Sequence, residues 1–308
     1  MANLWSNKLT SDQMWTTDNR VKYDRDKLRY PSDLTAAEWS LVEPLIPPAK
    51  PGGRDREVDV REVVNGIMYV LSTGCQWRYI PKDLPPKSTL YDYLVRWNDD
   101  NTLTAIHHAL YLQCREMMQR EPSPTACIID SQSVKSTEKG GRNIDPNGYD
   151  AGKKIKGKKR HILVDTVGLV LHAIVHPADI QERDGGILLI STLFGRFPFL
   201  RKLFADGGYQ GPQFEQAMAS VFPQLDVEIV KRSDAAGGFK VLPRRWATLP
   251  KVPRARARGM AVEGVERTLA WLNRCRRLCK DFENLTRNAL AFLRLASIRL
   301  MLRKVCNP

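Results

Sequence analysis

Two aspartates follow apolar segments that have the pattern of buried strands. Asp130 comes directly after TACII, and Asp206 comes after RKLFA and before two glycines that leave room for a bulky ligand. Because functional groups gather at strand ends in open α/β sheets, we expect these carboxylates to lie close together. Neighbouring ionised carboxylates repel each other, so the pair favours a bound divalent cation, and its oxygen donors suit Mg²⁺ or Mn²⁺ better than Zn²⁺. Taken alone, each aspartate could equally be a turn former or a helix cap.

A third carboxylate is expected from a helix that packs on the same sheet. Glu266 in the segment VERTLAWLNRCRRLCKDFE is the candidate, because apolar residues at helical spacing surround it. Glu263, one turn earlier, is the alternative. An acid at the start of a helix also interacts favourably with the helix dipole, which explains Glu266 about as well from spacing alone.

The first 121 residues have the pattern of a helical region. A polar arm is predicted at 1–29, followed by an all-helical domain at 30–121. Thr35 and Glu38 form a capping box before the first amphipathic helix. Three further helices are predicted, at 58–72, from Ser88, and at 103–120.

After a proline-rich boundary, the apolar pattern changes and a second domain is predicted at 125–308. Strands are predicted at 125–135, 159–166, 169–177, 201–209 and 225–232. Helices are predicted at 185–194, 211–222, 262–282 and 286–304. This order indicates an α/β fold with a mixed sheet flanked by helices. Asp165, at the end of the second strand, is interpreted as a turn residue, with a supporting role beside Asp130 as the weaker alternative.

The chain carries a large excess of positive charge. It has 308 residues, with 48 Lys and Arg against 34 Asp and Glu, and a net charge of +14. Such a chain associates with polyanions, so nucleic acid is the first partner to expect, although a solvated surface would have the same composition. The 43% hydrophobic content excludes general disorder. The longest apolar runs are far shorter than the roughly 18 residues of a membrane span, and without an apolar leader the expected location is cytoplasmic.

Six segments resemble those of a known family. They are YPSDLTAAEW, TGCQWRYIPKDLPP, IIDSQSVKST, GYDAGKKIKGKKRHILVDT, FADGGYQG and VERTLAWLNRCRRLCKDFEN. From about Met14 onward, the chain closely resembles the insertion sequence 5 family of bacterial DDE transposases. The resemblance implies a ribonuclease H-like catalytic domain behind an all-helical N-terminal DNA-binding domain. It also implies a catalytic and metal-binding triad, which by motif is Asp130 in IIDSQ, Asp206 in FADGGY and Glu266 in VERT.

The reaction that the resemblance implies is DNA phosphoryl transfer with two divalent ions, Mg²⁺ or Mn²⁺. Water cleaves a strand at the element end, and the freed 3′-hydroxyl then attacks target DNA. Our hypothesis is that Asp130 bridges both ions, whereas Asp206 holds one and Glu266 the other. The implied partners are double-stranded DNA, as terminal inverted repeats and as target, and a second copy of the chain in a homodimeric synaptic complex. The implied location is the bacterial nucleoid, with no membrane association.

Two basic clusters accompany the acidic candidates in the sequence. We expect both to contact DNA phosphates without reading base sequence, although a solvated loop is the alternative for the first. The first cluster, in the glycine-punctuated segment GKKIKGKKRH, consists of Lys153, Lys154, Lys156, Lys158, Lys159 and Arg160. The second, around Glu266, consists of Arg267, Arg274, Arg276, Arg277 and Lys280. Trp271, in the same segment, is interpreted as a core anchor. Base reading is assigned to a helix-turn-helix in the N-terminal domain.

The segment at about 247–264 departs from the family pattern. In relatives, the counterpart of LPRRW runs almost directly into the valine before VERT, whereas here ATLPKVPRARARGMAVEG separates Trp246 from Val265. This atypical insert could be an exposed loop that contacts DNA, or it could keep Glu266 from the site. Two functions therefore stay open: an active transposase, and a catalytically inactive DNA-binding relic or repressor of transposition. A structure-specific ribonuclease H-like nuclease is disfavoured, because the motifs match over such a length.

Overall fold

The computed structural model describes residues 23–49, 52, 56–137, 142–193, 195–230 and 264–307. Most of the predicted polar arm at 1–29, and the predicted insert at 247–264 apart from its final residue, lie outside these ranges. No helix among the described residues is long and apolar enough to cross a membrane.

The N-terminal region is helical where the periodicity predicts helices. Its α-helices are α1 (Ala36–Val42), α2 (Val60–Thr73), α3 (Lys87–Asp99) and α4 (Thr102–Met117). The predicted capping box of α1 is confirmed, because the Thr35 hydroxyl accepts a hydrogen bond from the Glu38 N–H and the Glu38 carboxylate accepts one from the Thr35 N–H. Gly74 ends α2 in the left-handed conformation, with φ of 68°, which glycine adopts without steric cost.

A six-stranded mixed sheet follows within the described part of the chain. Its strands are β1 (Ala126–Lys135), β2 (Gly148–Asp150), β3 (Ile155–Asp165), β4 (Val170–Pro177), β5 (Lys202–Asp206) and β6 (Asp226–Val230). Strand β1 pairs antiparallel with β3 and parallel with β5, which in turn pairs parallel with β6. Strands β2 and β4 pair antiparallel with β3. Helices α5 (Glu182–Ser191) and α6 (Pro212–Val221) lie between strands in the sequence. The predicted α/β class with a mixed sheet is confirmed.

Strand β1 matches its predicted bounds of 125–135, and β3 extends further than predicted. Because β1 continues five residues beyond Asp130, the expectation that this aspartate ends a strand is wrong, whereas Asp206 does end β5. Strand β3 begins at Ile155, before the predicted start at 159. The polar half of β1 and the early start of β3 have one cause, because Ser131–Lys135 pairs with Gly157–His161 in an unbroken antiparallel register. Backbone pairing therefore continues where the apolar side chains stop.

The predicted helix at 262–282 ends early. The structure is helical at 264–272, which we call α7, and a 3-10 turn follows at Arg276–Leu278. The chain then runs along β1, where the Asp281 N–H donates to the Lys135 carbonyl and the Asp281 carbonyl accepts from the Thr137 N–H, both at 3.0 Å. Extended backbone makes these bonds and helical backbone does not, so the helix cannot continue to 282 as predicted.

Helix α8 (Thr286–Cys306) joins the helical region to the sheet. It packs against both α4 and β4. Leu110 of α4, Leu171 of β4 and Phe292 of α8 belong to one cluster of buried apolar side chains. The His107 ring also contacts the Ser297 hydroxyl at 3.0 Å. The helices at 30–121 therefore share a core with the sheet, and their predicted independence as a domain stays a prediction.

Asp165 is fully buried where α4 meets the turn between β3 and β4. Its carboxylate accepts hydrogen bonds from Arg115 at 2.5 Å and from the Tyr111 hydroxyl at 3.2 Å, both side chains of α4. It also accepts from the backbone N–H groups of Val167 and Leu169 in the turn. Asp165 therefore stabilises the turn and its attachment to α4, as the turn interpretation predicts.

Gly157 lies where β3 is flanked by β1 and β2. A Cβ atom there would lie 2.1 Å from the Val134 carbonyl oxygen and 2.6 Å from the Ser136 nitrogen. We expect Gly157→Ala to lower the free energy of unfolding by about 1–3 kcal/mol, because backbone must move to admit the methyl group. Chemical denaturation measures the effect. Gly152→Ala is the control, since its nearest neighbour would be 3.5 Å away; equal stability of the two variants would contradict the prediction.

Candidate active site

Asp130 and Asp206 lie side by side on neighbouring parallel strands. The pairing of β1 and β5 ends with Ile128 opposite Phe204, and Asp130 and Asp206 each follow two positions later on the same face, close enough for the charge of Asp206 to act on Asp130. The structure therefore brings together the two aspartates whose proximity the sequence predicts, although Asp130 does so from the middle of its strand.

The surroundings of Asp130 make its ionised form unfavourable. Burial raises the pKa of Asp130 to about 6, and the negative charges of Asp206 and Glu182 act in the same direction. The hydrogen bond from the Ser131 N–H, at 2.7 Å, and the charge of Lys153 oppose this rise in the pKa. The carboxylate of Asp206 is exposed and accepts a hydrogen bond from the Gly208 N–H at 2.9 Å. A positive charge bound between the two aspartates would relieve their repulsion.

Helix α7, which carries Glu266, is attached to the sheet region at two points. In the middle of the helix, the Thr268 hydroxyl donates to the Gly168 carbonyl at 2.7 Å in the turn between β3 and β4. Just after its end, the Asn273 amide donates to the Gln132 side chain of β1 at 3.1 Å. Side chains alternate along a strand, so Gln132 and Asp130 are on the same face of β1. Glu266 is an exposed residue of α7, and its predicted place beside the aspartates stays a prediction.

Glu182, the first residue of α5, is an acidic neighbour of the pair that the sequence reasoning missed. Its Oε1 atom accepts hydrogen bonds from the Ser131 hydroxyl at 2.8 Å and from the Lys153 ammonium at 2.9 Å. Its Oε2 atom and the Oδ1 atom of Asp206 lie 2.0 and 3.1 Å from the point that a Cβ on Gly208 would occupy. The two oxygens are therefore at most 5.1 Å apart.

Hydrogen bonding keeps Glu182 ionised. Burial alone would raise its pKa, but the hydrogen bonds from Lys153 and Ser131 together lower the pKa below the usual value. The sequence contains one signal for this residue, the pair Gly185 and Gly186 in ERDGG, which lets α5 approach the sheet. A Cβ on Gly186 would lie 2.7 Å from the Tyr209 ring. The helix dipole alone explains an acid at the start of a helix, so Glu182 is easily overlooked despite the glycines that follow it.

The first basic cluster divides into exposed and buried residues. Lys153, Lys154 and Lys156 are exposed, as predicted for a surface that contacts DNA. The other three belong to β3 and are buried, which contradicts both their expected contact with DNA phosphates and the alternative of a solvated loop. The buried side chains pair within the protein: Lys158 with Asp281 and Thr286, Lys159 with Asp150 and the Ile180 carbonyl, and Arg160 with the Leu278 carbonyl.

The second basic cluster divides in the same way. Arg274, Arg276 and Lys280 are exposed, and Arg267 is half-buried. Arg277 is buried, and its guanidinium donates to Glu283 at 2.6 Å and to the Cys75 carbonyl at 3.0 Å, so its predicted surface position is wrong. The interpretation of Trp271 as a core anchor is also wrong, because the side chain is 43% exposed and lies against Arg267.

The chemistry of the aspartate pair fits a hard divalent cation. Asp130 and Asp206 offer oxygen donors alone. The charge of Asp206 adds to the effect of burial in raising the pKa of Asp130, and a bound cation would lower that pKa again. Across the part of the chain that the structure describes, no three His, Cys, Asp or Glu side chains are grouped closely enough to hold a metal ion. The pair would supply two of the ligands of such a cation.

Sequence comparison identifies the class of protein to which this sheet and its paired aspartates belong. Residues 121–248 match the family model for the transposase DDE domain, and residues 34–107 match a model for transposases of the IS4/5 family. The insertion element IS402 uncharacterized 16.2 kDa protein of Burkholderia cepacia is 32% identical over 108 residues, which cover 33% of this chain and 72% of that protein. No solved structure matches the chain.

The chain is thus a DDE transposase by class. More particularly, it belongs to the IS4/5 family of insertion-sequence transposases, and the predicted resemblance is confirmed.

Proposed function

We propose that this transposase binds the ends of its insertion sequence and cuts and joins DNA strands at the Asp130–Asp206 site. The observation that carries the proposal is that Asp130 and Asp206, each two residues beyond the last paired position of β1 and β5, lie close enough for the charge of Asp206 to act on Asp130. The order of the central strands, with β1 antiparallel to β3 and parallel to β5, supports the ribonuclease H-like fold predicted for the catalytic domain.

The residues that would hold Mg²⁺ or Mn²⁺ are Asp130, Asp206 and Glu266. When bound there, two such ions would stabilise the negative charge on the attacking and leaving oxygens of the phosphoryl transfer. Attachment of α7 to Gln132 supports the inclusion of Glu266, because it holds that helix on the Asp130 side of β1. Glu263 lies outside the described residues and stays the alternative.

The proposed reaction has two steps at one site. In cleavage, a water oxygen bonds to the phosphorus at the element end and the bond between phosphorus and the 3′ oxygen breaks, with one water proton passing to that oxygen. In strand transfer, the resulting 3′-hydroxyl oxygen bonds to a target phosphorus, and the 3′ oxygen of the target leaves with the proton. In this proposal Asp130 and Asp206 fix the site of both steps, because their strands lie next to each other in the sheet.

The surfaces proposed to hold DNA are the exposed members of the two basic clusters. They are Lys153, Lys154, Lys156, Arg267, Arg274, Arg276 and Lys280. Phosphate contacts of this kind give affinity that falls steeply with salt and carries no base preference. Helices α1 to α4 are proposed to read the element ends. Because a transposition event joins two ends, we propose that a homodimer holds both at the bacterial nucleoid.

The decisive test is strand cleavage by the purified protein. The substrates are DNA duplexes taken from the two flanks of the coding sequence, incubated with Mg²⁺ or Mn²⁺. We expect nicking at one position in each flank, lost on chelation with EDTA and regained on addition of metal. Nicking that survives EDTA would contradict the proposal. Tight binding of the flanks without cleavage in either metal would favour the catalytically inactive DNA-binding relic or repressor.

A further inference from the structure

Lys153 is held at both of its ends beside the aspartate pair. Its backbone N–H donates to the Asp150 carboxylate at 3.0 Å, and its ammonium donates to Glu182 at 2.9 Å. The same ammonium lies 3.5 Å from the carbonyl oxygen of Ser131, the residue next to Asp130. A side chain with four rotatable carbon bonds is thus confined to one direction, which is unusual for a lysine that is 42% exposed.

Glu182 is itself fixed by the packing of α5. At its other side, a Cβ on Gly185 would lie 2.4 Å from the His161 ring, so the helix lies directly on β3. The Ser131 hydroxyl occupies one lone pair of the Glu182 Oε1 atom and Lys153 another. A carboxylate fixed in this way holds the Lys153 ammonium in one position. An ammonium bonded only to water molecules would be free to move.

The position of Lys153 suits contact with a DNA phosphate at the site. An ammonium group has three donors, of which one is directed at Glu182 and a second lies near the Ser131 carbonyl, so capacity remains for a phosphate oxygen. Rates of phosphoryl transfer depend on such placement, because catalysis of this reaction consists mainly of positioning and charge stabilisation.

We propose that Glu182 is a positioning residue of the transposase: supported by Ser131, it fixes the ammonium of Lys153 beside Asp130, where Lys153 binds the phosphate next to the bond that is cut. The part of this inference that concerns the bound DNA phosphate rests on the proposed function. The pairing of Glu182 with Lys153 can be tested without activity.

The first experiment is a double-mutant cycle on strand cleavage. Glu182→Gln keeps the size of the side chain and releases the ammonium, so we expect cleavage to slow about tenfold or more, within the range of coupling between residues in contact. DNA affinity should stay the same or increase, because a negative charge is removed. Lys153→Met should slow cleavage and also weaken binding. The double variant should be no slower than Lys153→Met, since Glu182 acts through Lys153.

Asp184→Asn is the matched control, because Asp184 is an exposed acid in the same first turn of α5. It should cleave at the wild-type rate. Independent effects that multiply in the double variant would overturn the proposal. The proposal would also be overturned if Glu182→Gln lost as much DNA affinity as cleavage rate, since this indicates damage to the fold. The same holds if Asp184→Asn lost as much cleavage rate as Glu182→Gln.

The second experiment measures the acetylation rate of Lys153 by acetic anhydride, with mass spectrometry as the readout. The rate should rise several-fold in Glu182→Gln and not in Asp184→Asn. A flank duplex should protect Lys153 more strongly in the wild type than in Glu182→Gln. If the wild type fails to cut DNA, the proposed function fails while this comparison still decides the pairing. Equal acetylation rates in the three proteins would overturn the role of Glu182.

Discussion

Asp130→Asn is expected to lose strand cleavage by at least about 10³-fold, the scale on which removal of one member of a catalytic group acts. The substitution keeps the shape of the side chain and removes the charge that would bind a divalent cation. Binding of a flank duplex should change little, because the basic surfaces stay intact. The measurement is the single-turnover cleavage rate with saturating protein, alongside the dissociation constant for the same duplex.

The same variant should not lose stability in metal-free buffer. The pKa of Asp130 in the fold, about 6, lies above its usual value of 3.8, so the folded wild type binds more protons than the unfolded chain between these values. Its stability therefore falls as pH rises from about 4 to 6, and Asn, which has no charge, avoids this loss. We expect the melting temperature of Asp130→Asn at pH 7 to equal or exceed that of the wild type. Normal cleavage, or a clear drop in melting temperature, would refute this assignment.

Asp165→Asn is expected to lower the free energy of unfolding by about 3–5 kcal/mol, the usual cost of removing one partner of a buried ion pair. The fully buried carboxylate accepts from Arg115 and Tyr111 and from two backbone N–H groups of the turn. An amide at this position leaves the Arg115 guanidinium, also buried, without a negative partner. Denaturant titration monitored by tryptophan fluorescence measures the change.

Asp226→Asn provides the comparison for Asp165→Asn. Asp226 pairs with Lys202 at 2.5 Å but is 71% exposed, so its loss should cost no more than about 1 kcal/mol. A similar cost for both variants would show that Asp165 is not the structural residue described above. If Asp165 instead supports catalysis, cleavage by the folded Asp165→Asn protein at low temperature should be slow, and we expect it to be near normal.

The elements were predictable from the sequence because their signals are local. The capping box at Thr35 and Glu38 and the strand that ends at Asp206 depend on residues a few positions apart. The extension of β1 beyond Asp130 depends on partners that are distant in sequence. Ser131 binds Glu182 and Gln132 binds Asn273. Strand β3 pairs with β1 from Cys127 to Lys135. The apolar pattern therefore ends at Asp130, although the strand continues to Lys135.

The basic segment before His161 shows the same limit for the site. Six cations in eight residues indicate a solvated surface, yet Lys158 and Lys159 are buried because Asp281 and Asp150 neutralise them from other elements. Glu182 was missed for the related reason that its role depends on Ser131 and Lys153. The aspartate pair itself was predicted, since each carboxylate lies in a recognisable strand motif.

Helix α8 sets an order of events during synthesis. The apolar surfaces of α4 and β4 meet through this helix, which begins 169 residues after α4 ends. At about 5–20 residues per second, a ribosome needs roughly 10–30 s to make the intervening chain. Throughout that time the α4 surface is uncovered, and the β4 surface is uncovered from the moment residues 170–177 are made. Protection by chaperones or by transient self-association is therefore part of producing this transposase.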